Sequence, residues 1–252
     1  MDRSSPVASP APSRSLLSDL RQFVVRRPTV PTLVRFASPE ARQEAGSRIL
    51  QRLGVGVSQY GVLNVHQIGV AAPGRLIFEE FASAAVAEAC WPNHLAALDR
   101  DGSGVEHVRV FLLGRRETLF GLRSGFLGLD FIPLFRLDLL NRQDSPGPDA
   151  VDDGRFLLYS CSGGYPIGIF SVYVRSSLPG TDEEGESQVF MLVSFNFFGR
   201  RSWPGLGLVQ RVWEWVHNRV TSNVLNRFKN LCEVSCREVR GGRDGGGPIA
   251  RP

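Results

Sequence analysis

The stretch that decides the fold is GLGLVQRVWEWVHNRVTSNVLNRFKNLCEVSC, residues 205–236. Val209, Val212, Trp213, Val216, Val220, Val224, Phe228, Leu231 and Ser235 recur at steps of three and four, which gathers them on one face of an α-helix. Arg211, Arg219, Asn223, Asn226, Lys229, Asn230 and Glu233 fall largely elsewhere. A face that apolar must be buried. A helix of about 30 residues is about 45 Å long, more than a small sheet covers, so one end is expected to project or to meet other structure.

What the helix packs on is written upstream. Segments 105–113, 118–122, 129–140, 155–162, 167–177 and 187–198 are short, β-branched or aromatic, and bounded by Gly, Pro, Asp and Ser, which reads as strands. Pro133 suits a bulge or an edge position. Ser162-Gly163-Gly164 sits between two of these strands and precedes no helix, so it reads as a hairpin turn rather than an anion-binding loop. An edge-like strand at 63–71 comes first, and Pro73 then starts a helix over 74–81. A second helix is expected from Ser83 through Cys90 and Trp91 toward Leu98, interrupted at Pro92, with loops at 99–104 and 141–154. The fold class is therefore α+β: a curved antiparallel sheet of about seven strands gripping a long C-terminal helix, with an N-terminal helical extension. A bent sheet cannot press on a straight helix along its whole length, which predicts an apolar hollow between them.

The boundaries follow from composition. Residues 1–14 are rich in Ser, Pro and Ala with no aromatic side chain, too little to offset ordering entropy, and are expected to be disordered. Residues 15–60 form the helical extension. Leu16, Leu17, Leu20, Phe23 and Val24 make one amphipathic helix ended by Pro28, and Ser38-Pro39 caps a second with the stripe Ala41, Ala45, Ile49 and Leu53. The main domain spans 61–238, and 239–252 is expected to be a disordered tail. The last strand is apolar on both faces, Val189, Met191, Val193, Phe195 and Phe197 alternating with Phe190, Leu192 and Phe198, so its outer face needs a cover. The two N-terminal helices are the expected cover; contact with a membrane surface is the alternative reading of the first.

Composition excludes several classes. The chain has 252 residues, 42% hydrophobic and 21% charged, with a formal net charge of +4. Its basic residues are almost all arginine, Lys229 being the single lysine, and they are scattered rather than gathered into the stripe that nucleic acid requires. No run reaches the roughly 18 to 20 apolar residues of a membrane span, and a cytoplasmic location is expected. Cys90, Cys161, Cys232 and Cys236 fit that compartment as reduced thiols. The four histidines, His66, His94, His107 and His217, form no paired or HExxH arrangement, so neither a metal nor another cofactor is expected.

With these elements placed, the chain resembles the START-like helix-grip superfamily, the polyketide cyclase/dehydrase and lipid-transport group. The resemblance is carried by Val65 through Pro73 leading into Ile77-Phe78-Glu79-Glu80-Phe81, by Cys90-Trp91-Pro92, and by the hairpin-like Gly168 through Val174 and Gln188 through Phe195. It covers about residues 63–236 and leaves the first 60 unexplained. It implies transfer, storage, signalling or catalysis without choosing among them.

The candidate ligand-binding residues are Phe78, Trp91, Arg136, Tyr159, Tyr173, Phe195 and Trp213. Arg136 and Asp138 share one strand face, as do Tyr159 and Cys161, and Ser171 and Tyr173. Where those faces line the hollow, Arg136, Tyr159 and Tyr173 would orient a carboxyl, carbonyl or hydroxyl group; where they face out, they are ordinary solvated residues. The aromatic residues suit apolar lining or plain core equally. The favoured reading is a noncatalytic binder or carrier of an apolar small molecule such as a lipid, isoprenoid or polyketide. Its alternatives are an aromatase/cyclase-like enzyme using Tyr and Arg as acid and carbonyl polariser, and an interaction protein whose hollow is filled by its own side chains. No catalytic residue is assigned, no nucleic acid is expected as partner, and the sequence leaves the oligomeric state open.

Overall fold

The computed structural model describes residues 15–53, 62–83, 89–100, 107–112, 132–144, 154–163, 167–176, 185–195 and 207–244. Its strands are β1 (Val62–Val70), β2 (Ala96–Arg100), β3 (His107–Leu112), β4 (Ile132–Gln143), β5 (Arg155–Gly163), β6 (Ile167–Ser176) and β7 (Ser187–Phe195). They form one antiparallel sheet in the order β1-β7-β6-β5-β4-β3-β2, so the first strand closes on the last and the rest follow as a meander. The expected strand at 118–122 lies outside the described residues. Residues 96–100, expected in a helix and its loop, instead pair with β3, Leu98 opposite Val110. The helix around residue 90 is described only at its end. β4 also runs three residues beyond its expected limit, taking Asn141, Arg142 and Gln143 out of the expected loop. Pro133 sits at a register shift between β3 and β4, the place where a missing N–H is tolerated.

The helices are α1 (Leu16–Asp19), continued by a π-helical segment (Leu20–Val25), α2 (Pro39–Arg52), α3 (Gly74–Ala82) and α4 (Gly207–Asp244). Ser38 caps α2 as its sequence predicts, its Oγ accepting from the Ala41 N–H at 3.2 Å. α4 is 38 residues long, about 57 Å at 1.5 Å per residue, against strands of about 30 Å. It enters the segment 239–252 expected to be disordered and continues to Asp244.

The alternation along β7 sorts the core into two faces. On the inner face Val189 and Met191 join Ile68, Val70, Val172 and Val174 against Leu225, Phe228, Cys232 and Cys236 of α4. On the outer face Leu192 joins Val65, Phe156, Leu158 and Ile169 against Leu50 and Leu53 of α2. The buried stripe of α4 differs from the expected one: Val212 is 53% exposed, while Leu225, Cys232 and Cys236 are buried. A second surface explains part of this. Thr221, Ser222 and Asn223 are buried too, because the N-terminal segment packs on that side of the helix.

That segment wraps the β1 edge. Phe23 is fully buried under the Arg227 guanidinium, 4.4 Å from its ring centre, and the Asn223 amide donates to the Phe23 and Arg26 carbonyls at 2.9 and 3.0 Å. These carbonyls belong to the end of the π-helical segment, where an orphan acceptor needs a partner. Asn226 then receives the Val30 N–H and donates to the Val30 carbonyl, both at 2.9 Å. The Val34 N–H bonds the Val65 carbonyl and the Gln67 N–H the Thr32 carbonyl, so the open edge of β1 is partly paired. α2 then lies on the outer face. The expected cover is thus divided, α2 on the sheet and the first helix on α4.

The four cysteines are free thiols, and burial pushes the Cys161 and Cys232 thiols well above the usual range. A thiol reagent is expected to react slowly with the native protein and to count four thiols after unfolding without reductant. A count of two would reveal a disulfide.

Candidate functional site

Among the described residues, α4 packs on part of the inner face. The cluster that contains α4 residues draws its sheet side chains from β1, β6 and β7. A second inner cluster, Val108, Leu137, Leu157 and Tyr159 with Phe78 of α3, contains no α4 side chain among the described residues. Phe81, Ala96, Leu139, Cys161 and Phe170 border it, and the Tyr159 and Phe170 rings lie 6.0 Å apart. An arginine reaches this patch: the Arg142 guanidinium lies 5.9 Å over the Phe78 ring and pairs with Asp144.

Arg142 arrives there through a bulge. Leu139 pairs with Tyr159 and Asn141 with Leu158, so the register slips by one residue at Leu140 and exchanges the faces beyond it. Arg142, opposite the inner-face Leu157, thereby joins the same side as Leu137 and Leu139. Without the slip, strict alternation would have turned it away.

Between the edge strand and α4 lies a buried polar network. His66 has no exposed surface; its Nδ1 is 2.9 Å from the Thr32 hydroxyl and its Nε2 3.2 Å from Asn218 Oδ1. That oxygen also accepts from Asn64 Nδ2 at 2.8 Å, and the Thr32 and Ser222 hydroxyls share a bond of 2.8 Å. An amide oxygen only accepts, so His66 carries a proton on Nε2 and donates it to Asn218. Burial holds His66 down at about 4, against the opposing pull of Asn218. His217, stacked on Trp213 with ring centres 5.4 Å apart, is lowered to about 3 by burial and then by His66.

Both shifts have the same sign. The unfolded imidazoles bind a proton below about pH 6.5 and the folded ones do not, so stability is full above that pH and falls as pH drops toward 4. For His66 the loss is about 3 kcal/mol. His217 keeps part of its surface exposed, where water softens its penalty. Urea midpoints measured from pH 7 to 5, where most carboxylates stay ionised, are expected to fall for the native chain and less steeply for His66→Gln. A flat native profile would refute the neutral network.

No family model matches the chain, and no curated protein matches its sequence. Among solved structures it is similar to an aromatase/cyclase from a Streptomyces species, at 18% identity and TM-score 0.41, over 74% of this chain and 99% of that one. It is also similar to a conserved protein from Geobacillus kaustophilus, at 10% and 0.36, over 69% and 97%. A third is a human lipid transfer and protein localization domain, at 7% and 0.36, over 67% and 75%. The chain's own topology is one antiparallel sheet whose first and last strands are neighbours, with the terminal helix packed across its inner face. The sheet thus wraps its terminal helix, a helix-grip arrangement.

The grip separates the residues that sequence parity grouped. Phe78 and Tyr159 meet in the inner cluster. Arg136 does not join them: its side chain is 54% exposed and pairs with Asp138 at 2.6 Å. Tyr173 is on the outer face, its ring 5.9 Å from that of Phe190. Trp91 is half-buried and donates its indole N–H to the Ala96 carbonyl. Trp213 stands on the N-terminal half of α4 beside His217. Phe195 ends β7, and its side chain lies outside the described residues. Arg142 was the omission, and the polar run Asn141-Arg142-Gln143, so readily taken for a loop, concealed it. No group of His, Cys, Asp and Glu among the described residues could hold a metal, and no described helix is long and apolar enough to cross a membrane.

Proposed function

We propose that this helix grip binds and carries an apolar small molecule, a lipid, isoprenoid or polyketide, between the inner face of β3–β5 and the N-terminal half of α4. The observation that supports it is the division of the inner core among the described residues: one half is filled by α4 side chains, while the aromatic half contains none of them. A ligand burying about 300 Å² of apolar surface there would gain roughly 7 kcal/mol before ordering costs. Tyr159 and Arg142 supply the polar end of the site and Trp213 a wall. The cyclase-like alternative needs a convergent acid and carbonyl polariser; it would use Tyr159 with Arg142, since Arg136 points away. Four reduced thiols favour a cytoplasmic protein.

Fluorescent fatty-acyl and isoprenoid probes test this. At least one is expected to bind in the micromolar range, with Arg142→Ala and Tyr159→Phe weakening it several-fold and Arg136→Ala leaving it unchanged. Failure of the whole panel refutes the carrier reading, as does a probe equally indifferent to Arg142 and Arg136.

A further inference from the structure

The opposite face of the sheet carries its own cavity, of about 210 Å³, between α2 and the outer surface of β6 and β7. Ile49 and Leu53 form the helix wall, and Tyr173, Arg175 and Phe190 the sheet wall. Phe190 and Tyr173 are cross-strand partners with rings inclined by 51°, and the Arg175 guanidinium lies 5.1 Å over the Phe190 ring. Among the described residues no carboxylate pairs with Arg175. Space for Tyr173 has been left: a Cβ on Gly154 would fall 2.4 Å from its ring, so the backbone and ring pack too closely there for a side chain.

We propose that this outer cavity is a second binding site, separate from the grip, for a small carboxylate with an aromatic body. The size argument comes first. A cavity of about 150 Å³ accommodates one benzene ring, so this one, open at its mouth, has room for a ring with a short chain. The charge argument follows. A guanidinium that pairs with no carboxylate among the described residues, at the mouth of an apolar pocket, supplies what an anionic end group needs, and it offers a planar fork to a carboxylate. The aromatic pair supplies the remaining preference, through edge or offset contact with a ligand ring. Arg175 contributes specificity here and not mere solvation, because its guanidinium already lies over the Phe190 ring.

The probes are 3-phenylpropanoate and its neutral amide, added to the full chain and read by calorimetry and protein-observed NMR. The acid is expected to bind about tenfold more tightly than the amide, as a charge-assisted bond implies. Arg175→Gln should erase that preference while leaving the amide's affinity in place, and Ile49→Trp should plug the cavity and abolish both. Should Ile49→Trp misfold, added salt serves instead, weakening the acid and sparing the amide. Fluorescent acyl probes in the grip should remain bound throughout, which separates this site from the one proposed above. The proposal is overturned if neither probe binds at millimolar concentration, if acid and amide bind alike, if Arg175→Gln or the salt series leaves the preference unchanged, or if a folded Ile49→Trp protein still binds.

Discussion

Deleting residues 1–54 is expected to abolish cooperative folding or drive the protein to aggregate, whereas deleting 1–14 leaves the melting temperature unchanged. The longer deletion removes Phe23, Leu50 and Leu53, three side chains with almost no exposed surface. At about 1.5 to 3 kcal/mol each, they amount to roughly 4.5 to 9 kcal/mol, comparable with the whole stability of many domains. Their partners suffer as well. Val65, Phe156, Leu158, Ile169 and Leu192 would face water as one apolar surface, and β1 would regain an open edge. Asn223, Asn226 and His66 would lose the backbone groups and the hydroxyl they now bond. Thermal melts with light scattering measure both effects. If the longer truncation melts like the full chain and stays soluble, the extension is an appendage and not part of the grip's core.

Much of this was legible because local and tertiary signals agreed. Ser38-Pro39 announces a helix start through a hydroxyl that can accept and a ring whose missing N–H costs nothing there. The doubly apolar β7 announced two covered faces, and the structure supplies them with α4 and α2. Where the signals conflicted, the sequence misled. Residues 96–100 contain two alanines and a leucine, good helix formers, yet pairing with β3 overrides that preference. The site failed for a subtler reason. Face assignment by counting in twos holds only until the first bulge, and the slip at Leu140 leaves no mark in composition. Arg136 and Arg142 are both arginines on one strand at even spacing; only the register separates the one paired with Asp138 from the one over Phe78. The helix stripe drifted because α4 is buried on two sides near residues 221–225, which a single-face pattern does not anticipate.

Phe228→Ala is expected to cost about 3 to 5 kcal/mol, the range for removing a phenyl ring from a closed core. Phe228 is 2% exposed and belongs to the cluster that joins α4 to β1, β6 and β7, and its ring meets Phe81 of α3 edge-on at 5.8 Å. The side chain thus ties α4 both to the sheet and to α3. Nearby groups cannot close the space cheaply, because Val172, Val174 and Val189 are held by strand pairing and Leu225 and Cys232 by the helix. The control is Trp215→Ala, a larger deletion at a site 52% exposed, where the loss should stay near or below 1 kcal/mol apart from its contact with Arg219. Urea unfolding would show the first as a lowered midpoint with an unchanged slope. The same variant also probes how the inner face is divided. Phe228 lies outside the cluster of Val108, Leu137, Leu157 and Tyr159, so under conditions where Phe228→Ala remains folded, acyl-probe affinity should change little while stability falls sharply. Equal losses of affinity and stability would mean that the filled half and the aromatic half of the grip act as one unit, and the ligand site would then have to be placed against α4 itself.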